Sequence, residues 1–128
     1  MSTTITDIAT VAIPVADQDR ALAFYVEVLG FDKRLDTPIG GDVRWITVAP
    51  AGAHGSIALT KTRNDPITEP AGTDTGIRLT ATDVDRAWRA MTEHDVDVDD
   101  VLRWPGVPAM FRFRDPDGNT LYVVEATP

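Results

Sequence analysis

The chain has 128 residues, 43% hydrophobic and 25% charged, a length and composition that suit one globular domain with a buried core. Its 12 basic and 20 acidic side chains give a net charge of −8, which disfavours nucleic acid and anionic membranes as partners because both are negatively charged. The absence of cysteine excludes disulfides and thiolate metal sites. No apolar run reaches the length of a membrane span or resembles a signal peptide, so we expect a cytoplasmic protein.

The first half of the chain predicts a strand, a helix and three further strands. Apolar residues alternate over residues 8–15, which indicates a strand, and Asp17 follows as a residue that can cap the first turn of a helix. Apolar residues then recur at helical spacing, and Gly30 is typical of a helix end. The later strand-like segments of this half are residues 31–36, 43–49 and 56–61.

The second half repeats the first. Asp83 follows Asp17 by 66 positions, and at the same offset Arg86-Ala87 matches Arg20-Ala21, which indicates two copies of one supersecondary unit. The second copy predicts a strand at 77–81, a helix at 84–94 and strands at 96–104, 109–114 and 120–126.

These elements predict an α+β fold of two βαβββ modules in one domain, residues 1–128. The modules are expected at about 5–61 and 75–126, joined by a Pro- and Gly-containing linker at 62–74. Each mixed four-stranded sheet is expected to bury one face under its helix. The two sheets are expected to pair edge to edge, so that their other faces enclose a concave cleft.

Three segments carry a family resemblance: VAIPVADQDRALAFYVEVLGF at 11–31, TATDVDRAWRAM at 80–91 and FRFRDPDGNTLYVVE at 111–125. In this order they resemble the glyoxalase, bleomycin resistance protein and extradiol dioxygenase (vicinal oxygen chelate) superfamily. The resemblance implies a glyoxalase-like domain that binds a small molecule in its cleft and pairs as a homodimer. It also implies that most relatives hold a divalent metal ion in that cleft.

In the metal-using members, His, Gln or Glu ligands project from four strand positions. The resemblance places these positions here at Thr10, Ala58, Gly76 and Tyr122. None of the four residues offers an imidazole or a carboxylate, which are the usual protein ligands of zinc, nickel and iron outside thiolate sites. We therefore expect no metal ion and no other cofactor.

Strand alternation predicts which other side chains line the cleft. Because an arginine can bind a carboxylate or another acceptor through two N–H groups, we interpret Arg78 and Arg112 as orienting an anionic or hydrogen-bond-accepting ligand against Tyr122. The alternative is that either arginine extends to solvent or pairs with an acidic neighbour as a surface charge. The candidate ligand-binding residues are Trp45, Arg78, Met110, Arg112 and Tyr122, and no catalytic residue is assigned.

Other polar residues have structural explanations. The acidic run DVDVDD at 95–100 lacks the glycine and distal glutamate of a calcium loop and is interpreted as a charged edge strand. His54 is assigned to an exposed loop and His94 to a helix end, where a cation suits the helix dipole.

Two functions follow from the resemblance. The first is a metal-free protein that binds an aromatic or anionic metabolite or drug, as resistance proteins do. The alternative is a divalent-metal-dependent lyase, isomerase or dioxygenase of the same superfamily. The missing ligands favour a binding or resistance function, although whether any reaction is catalysed stays open.

Overall fold

The computed structural model describes residues 4–62 and 71–126 and divides the chain into two compact units, Met1–Thr68 and Glu69–Pro128. Neither helix of the described ranges is long and apolar enough to span a membrane. Most of the predicted linker, residues 62–74, coincides with residues 63–70, which lie outside the described residues. The linker and the single-domain organisation therefore stay predictions.

The first unit is a four-stranded mixed sheet with one helix. Its strands lie in the order β1-β4-β3-β2, with β1 parallel to β4 and the other neighbours antiparallel. The helix continues directly into a π-helical segment, Phe24–Val28, in which Leu29 N–H donates to Phe24 O at 3.1 Å. The elements in chain order are β1 Thr10–Val15, α1 Gln18–Ala23, β2 Asp32–Gly40, β3 Val43–Ala49 and β4 Ser56–Lys61.

Gln18 joins α1 to the sheet of the first unit. Its Nε2 donates to Arg44 O at 2.7 Å and to Leu59 O at 2.8 Å, and its Oε1 accepts from Arg44 N at 3.1 Å. These bonds satisfy a buried amide and fix the helix over β3 and β4. Fully buried Ala21 and Tyr25 complete the contact from the helix side.

The second unit repeats this connectivity. Its strands lie in the order β5-β8-β7-β6, again with the first strand parallel to the last. The caps repeat as well, since Asp17 accepts from Arg20 N and Asp83 from Arg86 N, both at 3.1 Å. The predicted α+β class with two βαβββ modules is confirmed. The elements are β5 Asp74–Ala81, α2 Val84–Glu93, β6 Asp97–Val98, β7 Met110–Arg114 and β8 Thr120–Glu125.

Alternation along β7 and β8 separates the core of the second unit from its opposite face. The core side chains are almost completely buried, as predicted: Phe111, Phe113, Leu121 and Val123. The residues between them project from the other side of the sheet and are more exposed. We call that side the open face of the second sheet.

The turn between β7 and β8 is held by a buried polar network. Asp115 Oδ1 accepts from Asp117 N at 3.0 Å and Asn119 N at 2.9 Å, while Asn119 Nδ2 donates to Asp115 Oδ2 at 3.1 Å. Asn119 Oδ1 also accepts from Gly72 N at 2.8 Å and Thr73 N at 3.1 Å. The predicted DPDGN turn therefore also fixes the backbone that leads into β5.

Two strand predictions differ most from the observed extents. The strand predicted over 96–104 is only Asp97–Val98, followed by an isolated bridge between Leu102 and Met110. Trp88 Nε1 donates to Asp99 O at 2.9 Å, so this carbonyl bonds the helix instead of continuing the ladder. The strand predicted over 31–36 extends to Gly40 as β2. It includes a proline because β2 is an edge strand, where a missing N–H is tolerated.

Candidate functional site

Three of the predicted ligand-binding residues form one row across the open face of the second sheet. Arg78 on β5 is the register partner of Tyr122 on β8, and Tyr122 is the register partner of Arg112 on β7. We call these residues the Arg–Tyr row. Because adjacent strands lie about 5 Å apart, the three side chains start as direct neighbours.

Tyr122 is held at both its ring and its hydroxyl group. The guanidinium carbon of Arg78 lies 4.4 Å from the centroid of the Tyr122 ring, a cation–π distance, and Arg78 Nη1 donates to Gly76 O at 2.9 Å. The Tyr122 hydroxyl donates to Asp74 Oδ2 at 2.9 Å. That hydrogen bond is the largest cause of a lowered pKa for Asp74, ahead of the bond from Gly76 N–H.

Asp99 links the two arginines of β7. Arg114 donates to it through Nη1 at 2.7 Å and Nη2 at 3.2 Å, and Arg112 donates through Nε at 2.9 Å. Arg114 is the principal cause that lowers the pKa of Asp99, with Arg112 as a smaller contributor. Asp99 in turn raises the pKa of Arg114. The carboxylate therefore stays ionised and restrains both guanidinium groups.

An open groove of about 470 Å³ lies beside the Arg–Tyr row. Its volume is within the roughly 300–1,000 Å³ typical of small-molecule sites. The groove and the row share Arg112, so a compound in the groove would reach the row. The groove is lined by Val98, Asp99, Asp100, Leu102, Arg112 and Arg114.

The two remaining candidates are not members of the row. Met110 is on the same strand as Arg112 and pairs with Val124. Trp45 belongs to the first unit, on β3 opposite Thr37, with 37% of its surface exposed. The assignment of Trp45 to the site stays a prediction.

Sequence reasoning missed three residues of this surface. Arg114 follows Arg112 by two positions, and the same alternation would have found it. Asp74 was assigned to the linker, and Asp99 to a solvated acidic edge. No local pattern identifies either carboxylate as a hydrogen-bond partner. Asp74 bonds a residue 48 positions away, and Asp99 bonds residues 13 and 15 positions away.

The residues at the four family metal positions carry neither an imidazole nor a carboxylate. The Thr10 hydroxyl donates to Ser56 O at 3.1 Å, and Ala58 is a fully buried methyl group. Gly76 has no side chain and a φ of +70°, and the Tyr122 hydroxyl proton is bound to Asp74. Across residues 4–62 and 71–126, no group of three or more His, Cys, Asp or Glu is placed to hold a metal ion.

Residues 7–123 match the family model described as the Glyoxalase/Bleomycin resistance protein/Dioxygenase superfamily. The chain is also similar to TnmS3, an antibiotic binding protein from Streptomyces sp. CB03234, at 33% identity and a TM-score of 0.85, covering 98% of this chain and 100% of that one. A member of the same superfamily from Sphaerobacter thermophilus DSM 20745 is 34% identical with a TM-score of 0.89, covering 97% and 100% of the two chains.

A curated relative matches over a shorter segment. YetH of Bacillus subtilis (strain 168), itself uncharacterized, is 42% identical over 55 residues, which are 43% of this chain and 46% of YetH. The match thus spans less than half the length of that relative.

Proposed function

This chain belongs to the glyoxalase/bleomycin resistance protein/dioxygenase superfamily, and we propose that it binds an aromatic or anionic small molecule on the open face of its second sheet. The observation that carries the proposal is the Arg–Tyr row. It places two guanidinium groups on either side of one tyrosine, at the edge of a groove large enough for a small compound.

The two arginines of β7 have different functions in this proposal. Arg114 donates to Asp99 through two nitrogens, and its Nη1 lies 3.7 Å from Asp97 Oδ1. These contacts give Arg114 a structural function. Arg112 contacts Asp99 only through Nε, and within residues 4–62 and 71–126 its two terminal nitrogens bond no other group. Arg112, with 47% of its side chain exposed, is therefore the arm that can take a carboxylate or carbonyl oxygen.

The Arg78–Tyr122 pair supplies the aromatic part of the site. The guanidinium carbon lies over the ring, both groups are planar and arginine is weakly hydrated, so an aromatic ligand can stack against them. Leu102 and Val98 add aliphatic surface to the groove. The combination of a flat surface with one free cationic donor suits an aromatic acid or a carbonyl-bearing polycycle.

The comparisons support a binding function. TnmS3 is an antibiotic binding protein, and this chain is similar to it over nearly the full length of both. By that similarity we propose an aromatic antibiotic or related metabolite as the ligand class, held without a chemical step.

The proposed protein holds its ligand without a metal ion. Thr10, Ala58, Gly76 and Tyr122 supply no imidazole or carboxylate, and Tyr122 is already bonded to Asp74. A metal-dependent lyase, isomerase or dioxygenase would need other ligands. By the same family resemblance, we propose a homodimer, which sedimentation equilibrium of the purified chain would test. The lack of cysteine supports a cytoplasmic location.

A thermal-shift screen tests the binding function. The purified chain is screened against aromatic antibiotics and aromatic carboxylates, each with and without added Zn²⁺, Mn²⁺, Ni²⁺ and Fe²⁺. We expect stabilising compounds whose effect does not depend on metal and saturates at one ligand per site by calorimetry. Stabilisation that appears only with a metal ion would instead support a metal-dependent enzyme. If no compound stabilises the chain, the result counts against a binding function.

A further inference from the structure

We propose that Asp74 sets the hydrogen-bonding direction of Tyr122, so that the tyrosine accepts a hydrogen bond from the ligand and the site selects compounds carrying a hydroxyl or N–H donor. This inference rests on the proposed function and adds the chemical group that the ligand presents. Asp74 acts here as a positioning residue, through Tyr122.

The first step concerns the proton between the two side chains. The Tyr122 hydroxyl oxygen lies 2.9 Å from Asp74 Oδ2. The pKa of Asp74 is held below its ordinary value, first by this hydrogen bond and then by the Gly76 N–H. A carboxylate that is ionised at neutral pH can only accept, so the proton in the bond is the phenolic one.

The second step concerns how firmly Asp74 is placed. Its other oxygen, Oδ1, accepts from Gly76 N at 3.1 Å. The register of β5 shifts between Asp74 and Arg78, and Gly76 within that bulge has a φ of +70°. Glycine adopts this conformation without the steric cost that other residues meet. The bulge therefore turns the Gly76 N–H toward the carboxylate and fixes its direction.

The third step concerns what remains on the tyrosine. Arg78 lies over the ring and is itself bonded to Gly76 O, and these contacts restrain the ring. A phenol has one proton and two acceptor positions. Because the phenolic proton points to Asp74, only lone pairs of the hydroxyl oxygen face other directions. Within the two described ranges no second group bonds the hydroxyl oxygen. A donor group on the ligand can hydrogen-bond to this oxygen, whereas an ether or carbonyl oxygen of the ligand would be repelled by the lone pair.

The fourth step adds the opposite polarity from Arg112. Arg112 is the register partner of Tyr122, and its terminal nitrogens are donors only. The row thus presents an acceptor next to a donor. A matching ligand carries both groups on one edge, as in a hydroxylated aromatic carboxylate or a hydroxyaryl ketone.

Isothermal titration with three small probes tests the inference: 3-hydroxybenzoate, 3-methoxybenzoate and benzoate. These anions share the group for Arg112 and differ in the donor. We expect the intact chain to bind 3-hydroxybenzoate about tenfold more tightly than 3-methoxybenzoate, the value of one net hydrogen bond. Tyr122→Phe should reduce this ratio to about one.

Asp74→Ala is the decisive variant. Removing the carboxylate frees the phenolic proton, so Tyr122 can donate to the methoxy oxygen and the ratio should fall severalfold toward one. Loss of one negative charge strengthens binding of all three anions alike, and a general structural defect weakens all three alike, so neither moves the ratio. Glu93→Ala, which removes an exposed acid of α2, should leave the tenfold ratio unchanged.

The outcomes distinguish this inference from the proposed binding function on which it rests. If the benzoates bind through Arg112 but the ratio is the same in Asp74→Ala as in the intact chain, the inference is wrong while the binding function stands. A ratio near one in the intact chain, or no saturable binding of 3-hydroxybenzoate, would also overturn the inference. Failure of the whole compound screen removes the binding function itself.

Discussion

Asp99 accepts hydrogen bonds from Arg114 on both of its carboxylate oxygens, Oδ1 at 2.7 Å and Oδ2 at 3.2 Å. The two residues lie 15 positions apart and join β7 to the chain just after β6. Only two residues on each strand form the ladder between β6 and β7. The pair therefore adds a side-chain restraint to this edge, on the side where the groove lies.

The Asp99–Arg114 pair should be visible in acid titrations. Since Arg114 lowers the pKa of Asp99, its stabilising contribution is present above the unfolded pKa and is lost as the pH falls through the folded pKa, below the ordinary value of 3.8. We expect carboxyl-carbon NMR to place the Asp99 pKa below 3.8. Arg114→Met should raise it toward the ordinary value, and Arg89→Met on exposed α2 should not. An Asp99 that titrates normally in the intact chain would contradict this interaction.

Arg112→Met tests whether this side chain binds the ligand. The substitution keeps most of the aliphatic stem and removes the donors. For a stabilising aromatic carboxylate found by the screen, we expect the affinity by calorimetry to fall about tenfold or more, because charge-assisted hydrogen bonds exceed neutral ones. The melting temperature without ligand should change little, since the side chain is 47% exposed. Unchanged affinity, equal to that of the Arg89→Met control, would reduce Arg112 to a surface partner of Asp99.

Asn119→Ala tests the network under the β7–β8 turn. The substitution leaves Gly72 N–H and Thr73 N–H without their side-chain acceptor and removes the bond to Asp115. Because Asn119 is fully buried, we expect the free energy of unfolding in urea to fall by about 2 kcal/mol. Glu93→Gln, at an exposed helix position, should change it by less than about 0.5 kcal/mol. A loss no larger than that of the control would mean that the turn holds without this amide.

Metal content tests the ligand-loss argument directly. Tag-free protein purified without chelator should carry far less than one divalent ion per chain by elemental analysis, because the four family positions offer no imidazole or carboxylate. Dialysis against a chelator should leave the melting temperature unchanged. Near-stoichiometric zinc, nickel, manganese or iron would refute the argument and support a metal-dependent enzyme.

Local chemistry made much of the fold predictable. Asp17 and Asp83 cap helices because a carboxylate after a strand can satisfy first-turn N–H groups, and this needs only neighbouring residues. The core face and the open face of β7 and β8 were also predicted correctly, because the alternation of side chains depends only on neighbouring residues. Asp74 and Asp99 escaped prediction because their partners are distant in sequence. At the end of β6 the Asp99 carbonyl accepts from the Trp88 indole N–H, a partner that no pattern of hydrophobic residues encodes.

The backbone conformation of Gly76 limits which residues this position can accept. Its backbone is left-handed, and a side chain added there would meet open space, so conformation alone opposes a larger residue, at about 1 kcal/mol or more. Relaxing that strand segment would also break the bonds from Gly76 N to Asp74 and from Arg78 to Gly76 O. A histidine or glutamate at this position would therefore have to adopt a strained backbone, or lose these two hydrogen bonds, before it could face a metal ion.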